Sequence, residues 1–425
     1  MHSQRQDQSK VLASSAANSG TAFSRRHLLK RGLVFGSLVN PGFFTLLNTG
    51  HQTGSGSKLV EALPNGVEIW QVTFEEYPQS NIYCEVPYCS RDSRWFVYAR
   101  TNPSLSGNRM EFMAVELGSW NQARLDVSVG ISGCAVSPDG MFYYLKQRQD
   151  VYELWRADIA EGQPEKLLEF PRMRLTSLGT VSSDHRYFAV GAVTDPEWKS
   201  FDILLIDLKT GGYRTIDRDP FILNPHPQFE PAEGRQLLIQ HNRGGRYSLD
   251  GKLERLVGPE GATVYLLSVP EGERTLLKVG LPFTTACTGH EAWAGTSKEI
   301  VLTVAASGEF SPEKGNLLGV RADQEARVVA RGYSFNHVGV SRCGRLFSAD
   351  DWRGSFKVVI GSVRSGKCLE VCESKTQPSR DQSTHPHPYL TPDLNWVIFN
   401  SNRSGIPHVY AARIPKELCD DLLVG

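Results

Sequence analysis

Eleven histidines are spread over 425 residues, and those in the last third fall where they could act together. His385-Pro386-His387 sets two imidazoles two positions apart, so that in an extended chain both rings project to one side. Pro386 and Pro388 fix the backbone around them and remove N–H donors. Gln382, just upstream, adds an amide oxygen, and His337, in Asn336-His337-Val338, adds a third imidazole. Three nitrogens and one oxygen make a divalent-metal donor set. Imidazole suits Zn, Cu, Fe and Ni, the oxygen donor admits Mn, and ligand type alone does not choose among them. The alternative is a Pro-rich turn whose histidines hydrogen-bond to the surrounding wall. His290, in Cys287-Thr288-Gly289-His290-Glu291-Ala292-Trp293, occupies a matching place one unit earlier.

These residues need a scaffold that repeats. Beyond about residue 58 the chain reads as β throughout, with short β-branched and aromatic runs separated by Gly, Asp, Asn and Ser turns. A polar turn followed by an apolar strand recurs seven times, as in Ser90-Arg91-Asp92 before Trp95, Ser137-Pro138-Asp139 before Phe142, Ser182-Ser183-Asp184 before Tyr187 and Thr391-Pro392-Asp393 before Trp396. From Asp92 through Asp139, Asp184, Glu233, Ser297 and Cys343 to Asp393 the intervals are 47, 45, 49, 64, 46 and 50 residues. A four-stranded blade takes about 40–50 residues, so the chain is expected to be all-β, a seven-bladed β-propeller over residues 58–418. The seventh unit ends early. Val67 to Phe74 is expected to supply its missing strand and close the ring, which leaves no open sheet edge. In a propeller the segment before each polar turn is the innermost strand, so His290, His337, His385 and His387 would line the central channel. His226 and His241 also fall near it by blade phase.

The segment Thr384-His385-Pro386-His387-Pro388, followed by Leu390-Thr391-Pro392-Asp393, Val397-Ile398-Phe399 and Gly405-Ile406-Pro407, resembles the carboxy-terminal blade of the oligogalacturonate lyases. Those enzymes are seven-bladed propellers that cleave short pectin fragments by β-elimination with a bound manganese ion. The resemblance implies that Gln382, His385, His387 and His337 hold a divalent metal, Mn2+, and that His290 is the base that abstracts a proton. It implies an oligouronide as substrate. Departures concentrate in blade four, where Ala262 and Thr263 stand in place of the family's arginine. The loop His241-Asn242-Arg243-Gly244-Gly245-Arg246 offers Arg243 and Arg246 as replacements for binding a sugar carboxylate. Asn224-Pro225-His226-Pro227 is similar to a Gly-His-Pro segment of the family, and Asn81 and Tyr83 loosely match polar and aromatic positions. Asp350, Asp351 and Arg353 could face substrate, although a solvated turn is the commoner fate of such a sequence.

Lys and Arg number 46, as do Asp and Glu. A neutral chain argues against nucleic acid as a partner. The balance has two unlike parts, because residues 1–50 carry six of the basic residues and one acidic residue, leaving 40 basic against 45 acidic, a net of −5. Ser24-Arg25-Arg26-His27-Leu28-Leu29-Lys30 resembles a twin-arginine export signal, so residues 1–57 are expected to be signal and linker. They would engage the twin-arginine translocase and give a periplasmic or exported protein, anchored to the membrane if the segment is not cleaved. Residues 419–425 read as a tail. Of the eight cysteines, those at 84, 89, 134, 287 and 343 read as small buried thiols, and Cys368-x-x-x-Cys372 at a blade edge lacks the second pair that zinc requires. The reading from a different class is a non-catalytic exported propeller, similar to that of the translocation protein TolB, which binds a protein or glycan through its face.

Overall fold

The computed structural model describes residues 56–424. The twin-arginine-like segment lies outside the described residues. Seven antiparallel units, six of four strands and the last of five, follow one another along the chain, and their second strands are Trp95–Thr101, Met141–Arg148, Tyr187–Val193, Gln236–Asn242, Ile300–Val304, Leu346–Asp351 and Trp396–Ser401. Each such strand packs between neighbouring blades on both faces, which is why Tyr187–Val193 is apolar or glycine and buried at every position. The outermost strand of the same blade, Tyr213–Asp219, is polar and mostly exposed. Periodicity therefore fades inward, as expected for strands with no wet face.

Six apolar clusters lie between the blades and join them into a ring. Phe96 of blade 1 shares a cluster with Phe142 of blade 2 and Ile398 of blade 7, and the remaining clusters bridge blades 2–3, 3–4, 4–5, 5–6 and 6–7. Burying one Val, Leu, Ile or Phe side chain contributes about 1.5–3 kcal/mol, so each interface alone outweighs the ordering of one hairpin turn. The ring closes where Glu68–Gln71 pairs antiparallel with His408–Arg413, within the expected 67–74 segment. A further strand, Lys58–Ala62, adds outside it and gives blade 7 five strands. The expected C-terminal tail is the helix Lys416–Val424, which buries Cys419 and Leu422 against the apolar cluster of blades 6 and 7.

The polar turns are one repeated device. Ser90 donates its hydroxyl to Asp92 Oδ1 at 2.6 Å and accepts the N–H of Trp95 at 3.0 Å; Ser182 with Asp184 and Thr391 with Asp393 repeat the side-chain bond at 2.6 Å. The long 64-residue interval is explained by an extra hairpin, Arg246–Tyr247 with Leu253–Arg255, between the second and third strands of blade 4.

The segment from Asn81 to Cys89 departs from the blade pattern. It crosses the central channel. Asn81 bonds blade 7 through the His387 carbonyl oxygen at 2.7 Å, Glu85 reaches His226 of blade 4, and Arg342 of blade 6 donates to the Cys89 carbonyl oxygen at 3.0 Å. Gly339 makes this possible, because a Cβ there would overlap the Cys84 carbonyl oxygen. The channel is thus plugged by the chain itself, and the plug forms the floor beside the histidines.

Candidate metal centre

Three histidines converge as expected. His337, on the inner strand Phe335–Val340 of blade 6, and His385 and His387, just before Tyr389–Leu390 of blade 7, offer ring nitrogens that all lie within 4.8 Å of one another, and all three residues are buried. Simple strand alternation does not produce this. His385 is extended, with φ −85°, whereas His387 sits in the left-handed region at φ +42°. That conformation is uncommon for a residue with a Cβ and marks a place where surrounding structure overrides local preference. Here the plug imposes it in part, because Asn81 grips the His387 carbonyl oxygen.

The second nitrogen of each ring shows which atom is free. The Nδ1–H of His337 donates to Asp350 Oδ2 at 2.7 Å, while the backbone N–H of His337 donates to Asp350 Oδ1 at 2.8 Å. That leaves Nε2, with the Asn336 carboxamide nitrogen 3.5 Å away. The Nε2–H of His385 donates to the Ser379 carbonyl oxygen at 2.9 Å, and His385 Nδ1 is buried with no hydrogen-bond partner among the described residues, as is His387 Nε2. Buried imidazole nitrogens without partners are costly. Burial, together with the neighbouring rings, holds His337 and His387 well below the usual imidazole range, so both present the neutral lone pair that a metal requires. A carboxylate behind a ligating histidine is the usual means of fixing its tautomer and orientation. The three residues fit a divalent metal of the imidazole-accepting class.

Gln382 lies in a one-turn helix, Gln382–Thr384, capped by Asp381, which accepts the Ser383 N–H at 3.0 Å. It is exposed and lines, together with His387, a cleft of about 400 Å³. His290 is half-buried on the inner strand Cys287–Trp293 of blade 5, with its ring centroid 4.3 Å from that of His337. The Thr303 hydroxyl donates to the Asn336 carbonyl oxygen at 2.8 Å and can accept from Thr288. Thr288 Oγ1 in turn stands 3.2 Å from His290 Nδ1, an arrangement that suits a proton on Nδ1 and a lone pair on Nε2. Burial and the rings of His337, His226 and His385 hold His290 well below the usual imidazole range, opposed by Asn336.

Of the expected substrate contacts, Tyr83 and His226 line the cleft. Tyr83 stands between the histidines, 4.5 Å from the His387 ring and 5.6 Å from His226. Asn81 is fully buried and holds the plug, so it is a support and not a cleft residue. Arg243 turns its guanidinium to the carbonyl oxygens of Gly261 and Leu281 at 2.9 and 3.0 Å. Arg246 is exposed and pairs with Glu254 at 2.6 Å, His241 meets Asp219 at 2.9 Å, and Arg353 bonds Asp351 and the Gly332 carbonyl oxygen. None of these four lines the cleft. Asp350 and Asp351 are not a solvated turn: both are buried. Burial pushes the Asp350 carboxyl up to about 7, with the His337 N–H opposing. Both carboxylate oxygens of Glu291 lack hydrogen-bond partners among the described residues, and Trp293 packs between blades and donates to the Gln228 carbonyl oxygen at 3.1 Å. Trp352, next to Asp351, covers the rings of His337 and His385 at 5.2 and 5.0 Å.

No family model matches the chain. An oligogalacturonate lyase of Dickeya dadantii is 22% identical over 364 residues, which span 74% of this chain and 88% of that protein. The chain is thus similar in sequence to the oligogalacturonate lyases. An oligogalacturonide lyase of Pectobacterium atrosepticum is also 22% identical, over 73% of this chain and 88% of its own length. The fold agrees. A solved oligogalacturonate lyase in complex with manganese superposes with a TM-score of 0.66 at 17% identity, covering 87% of this chain and 99% of that one. The oligogalacturonate lyase of Vibrio parahaemolyticus gives 0.65 at 15% identity over the same shares.

Proposed function

We propose that this protein is a metal-dependent lyase that cleaves oligogalacturonate, or a closely related oligouronide, by β-elimination. The observation that carries the proposal is the convergence of three buried imidazoles, two of which have a ring nitrogen without a hydrogen-bond partner among the described residues, in a channel of a fold like that of the oligogalacturonate lyases. A propeller that only binds a protein has no use for that arrangement.

His337, His385 and His387 would hold the ion, with Gln382 closing on it from the exposed turn. When bound, the ion supplies Lewis acidity at the uronate carboxylate, and likeness to the solved complex favours manganese. The protein's own residues do the rest. Carbon 5 of galacturonate carries the carboxylate, so loss of its proton places negative charge on oxygens that the site can accept. His290 takes that proton at Nε2. Its neutrality, maintained by burial and by three neighbouring rings, keeps it competent as a base at neutral pH. Asp350 holds His337 in one tautomer, Trp352 and Tyr83 wall the site, and the plug from Asn81 to Cys89 prevents water from passing straight through the channel. Expulsion of the carbon-4 oxygen then gives an unsaturated uronide without consuming water.

Residues 24–30 support a second proposal, that the protein is exported by the twin-arginine route and acts outside the cytoplasm. Arg25→Lys with Arg26→Lys should retain the protein in the cytoplasm; secretion unchanged by both substitutions rejects it. For the activity, His385→Ala and His387→Ala should lose both bound metal and unsaturated product. Full elimination by either metal-free variant would overturn the reading.

A further inference from the structure

Pro-His-Pro occurs twice in the chain, and in both copies the histidine is in the left-handed region: His387 at φ +42° and His226 at φ +44°. One copy joins the metal centre, and the other does not. His226 instead meets the carboxylate of Glu85 through Nδ1. Glu85 comes from the channel plug and is 6% exposed. On the other side of the ring, Nε2 stands 2.9 Å from the Asn224 carboxamide, which presents either its oxygen or its nitrogen by a half-turn of the amide. Asn224 and His226 line the same cleft as Gln382 and His387.

Among the described residues, no lysine or arginine lines that cleft. Of its lining residues outside the three histidines, His226 is the one that can carry positive charge, paired with Glu85, while Asp381 on the rim is acidic. Burial lowers the basicity of His226, but the Glu85 carboxylate beside it outweighs burial and Glu291 adds to it, so that the ring is pushed up to about 9. Tyr83 packs against it from the plug, the two rings tilted with centroids 5.6 Å apart, and the rings of His290, His337 and His387 face it across the channel. His226 thus presents a ring nitrogen to the cleft that His387 and Gln382 also line, backed by a buried carboxylate, which is the placement an acid for the departing oxygen requires.

We propose that His226 is the proton donor to the departing oxygen, with Glu85 as the residue that positions and charges it; this rests on the lyase reading above. A sugar hydroxyl is a poor leaving group as its anion, and donation in the transition state removes that obstacle. The bookkeeping of atoms is complete. The C5–H electron pair becomes the C4–C5 double bond, the C4–O bond breaks with its electrons on oxygen, and that oxygen takes the Nε2 proton of His226 as it displaces Asn224. His290 is left protonated and His226 neutral, and exchange with solvent restores both.

The test is run on metal-loaded protein in D2O with oligogalacturonate, reading bound metal, deuterium at carbon 5 of recovered substrate, and unsaturated product. For His226→Gln the expected result is retained metal, continued deuterium uptake, and elimination slowed by about 100-fold or more. His290→Ala should lose uptake and elimination together. Elimination by His226→Gln at the wild-type rate overturns the proposal, and so does loss of its metal, which would make the residue structural. A wild-type protein that neither exchanges nor eliminates overturns the lyase reading itself and this proposal with it. Glu85→Gln provides an independent measure: the alkaline limb of its kcat/KM profile should move to lower pH by about one unit or more, and an unmoved limb contradicts the role given to the pair.

Discussion

His337 and Asp350 are locked to each other twice, through the ring and through the backbone. Asp350 Oδ2 accepts the Nδ1–H at 2.7 Å and Oδ1 accepts the main-chain N–H at 2.8 Å. Both residues are almost wholly buried. The carboxylate therefore fixes the ring, its tautomer and its height in the channel at once. Asp350→Asn should weaken metal binding about 10–100-fold, measured by titration calorimetry on the stripped protein. Unchanged affinity would mean that the pair supports the blade and not the ion.

A bound ion also stabilises the fold, because the unfolded chain does not bring His337, His385 and His387 together. At an ion concentration 100 times Kd the gain is about 2.7 kcal/mol. Chelation should lower the thermal midpoint of the wild-type protein and leave that of His385→Ala unmoved. Equal shifts in both proteins would place the ion elsewhere.

Much of the site was legible in the sequence, and the remainder has physical reasons for being hidden. His385-Pro386-His387 is local, and a polar turn precedes the second strand of every blade, closed in four of them by the same hydroxyl–carboxylate bond, so the histidines could be placed on inner strands by counting. Asp350 looked like part of a solvated Asp-Asp-Trp-Arg turn, and only the packing of Trp352 over the rings reveals why it is dry. Glu85 and His226 are 141 positions apart and meet because the Asn81–Cys89 segment leaves its blade to cross the channel, which no periodicity announces. Arg243 and Arg246 were read by charge alone. The hairpin inserted in blade 4 turns one toward carbonyl oxygens and the other toward Glu254.

That placement is itself testable. Arg246→Ala should leave KM and kcat on oligogalacturonate within about twofold of the wild type and stability within about 1 kcal/mol, since an exposed ion pair contributes little. A large rise in KM would return Arg246 to the substrate path.

Gly339 has no room for a methyl group beside the Cys84 carbonyl oxygen. Gly339→Ala should destabilise the protein by about 1–3 kcal/mol through overpacking and disturb the plug, read as a lower denaturation midpoint together with faster hydrogen exchange over residues 81–89. Stability equal to wild type would show that the plug yields readily.

At low pH, Asp219 should be among the groups whose protonation weakens the fold. Burial raises its carboxyl, but His241, the Phe221 N–H and Arg274 hold it down to about 2, below the ordinary value of about 4. A depressed folded-state value gives stability that is present above pH 4 and lost as pH falls toward 2. Asp219→Asn should therefore show a shallower loss of stability across that window in urea titrations at stepped pH. A slope equal to the wild type would exclude Asp219 from the acid transition.

The most direct measurement is the ultraviolet absorbance of unsaturated uronide released from oligogalacturonate by the wild-type protein, stripped with chelator and then reloaded with one manganese ion per chain. The account predicts no product from the stripped protein and its appearance on reloading. Protein that holds one ion per chain and still releases no unsaturated product, or stripped protein that releases it at the full rate, would contradict it.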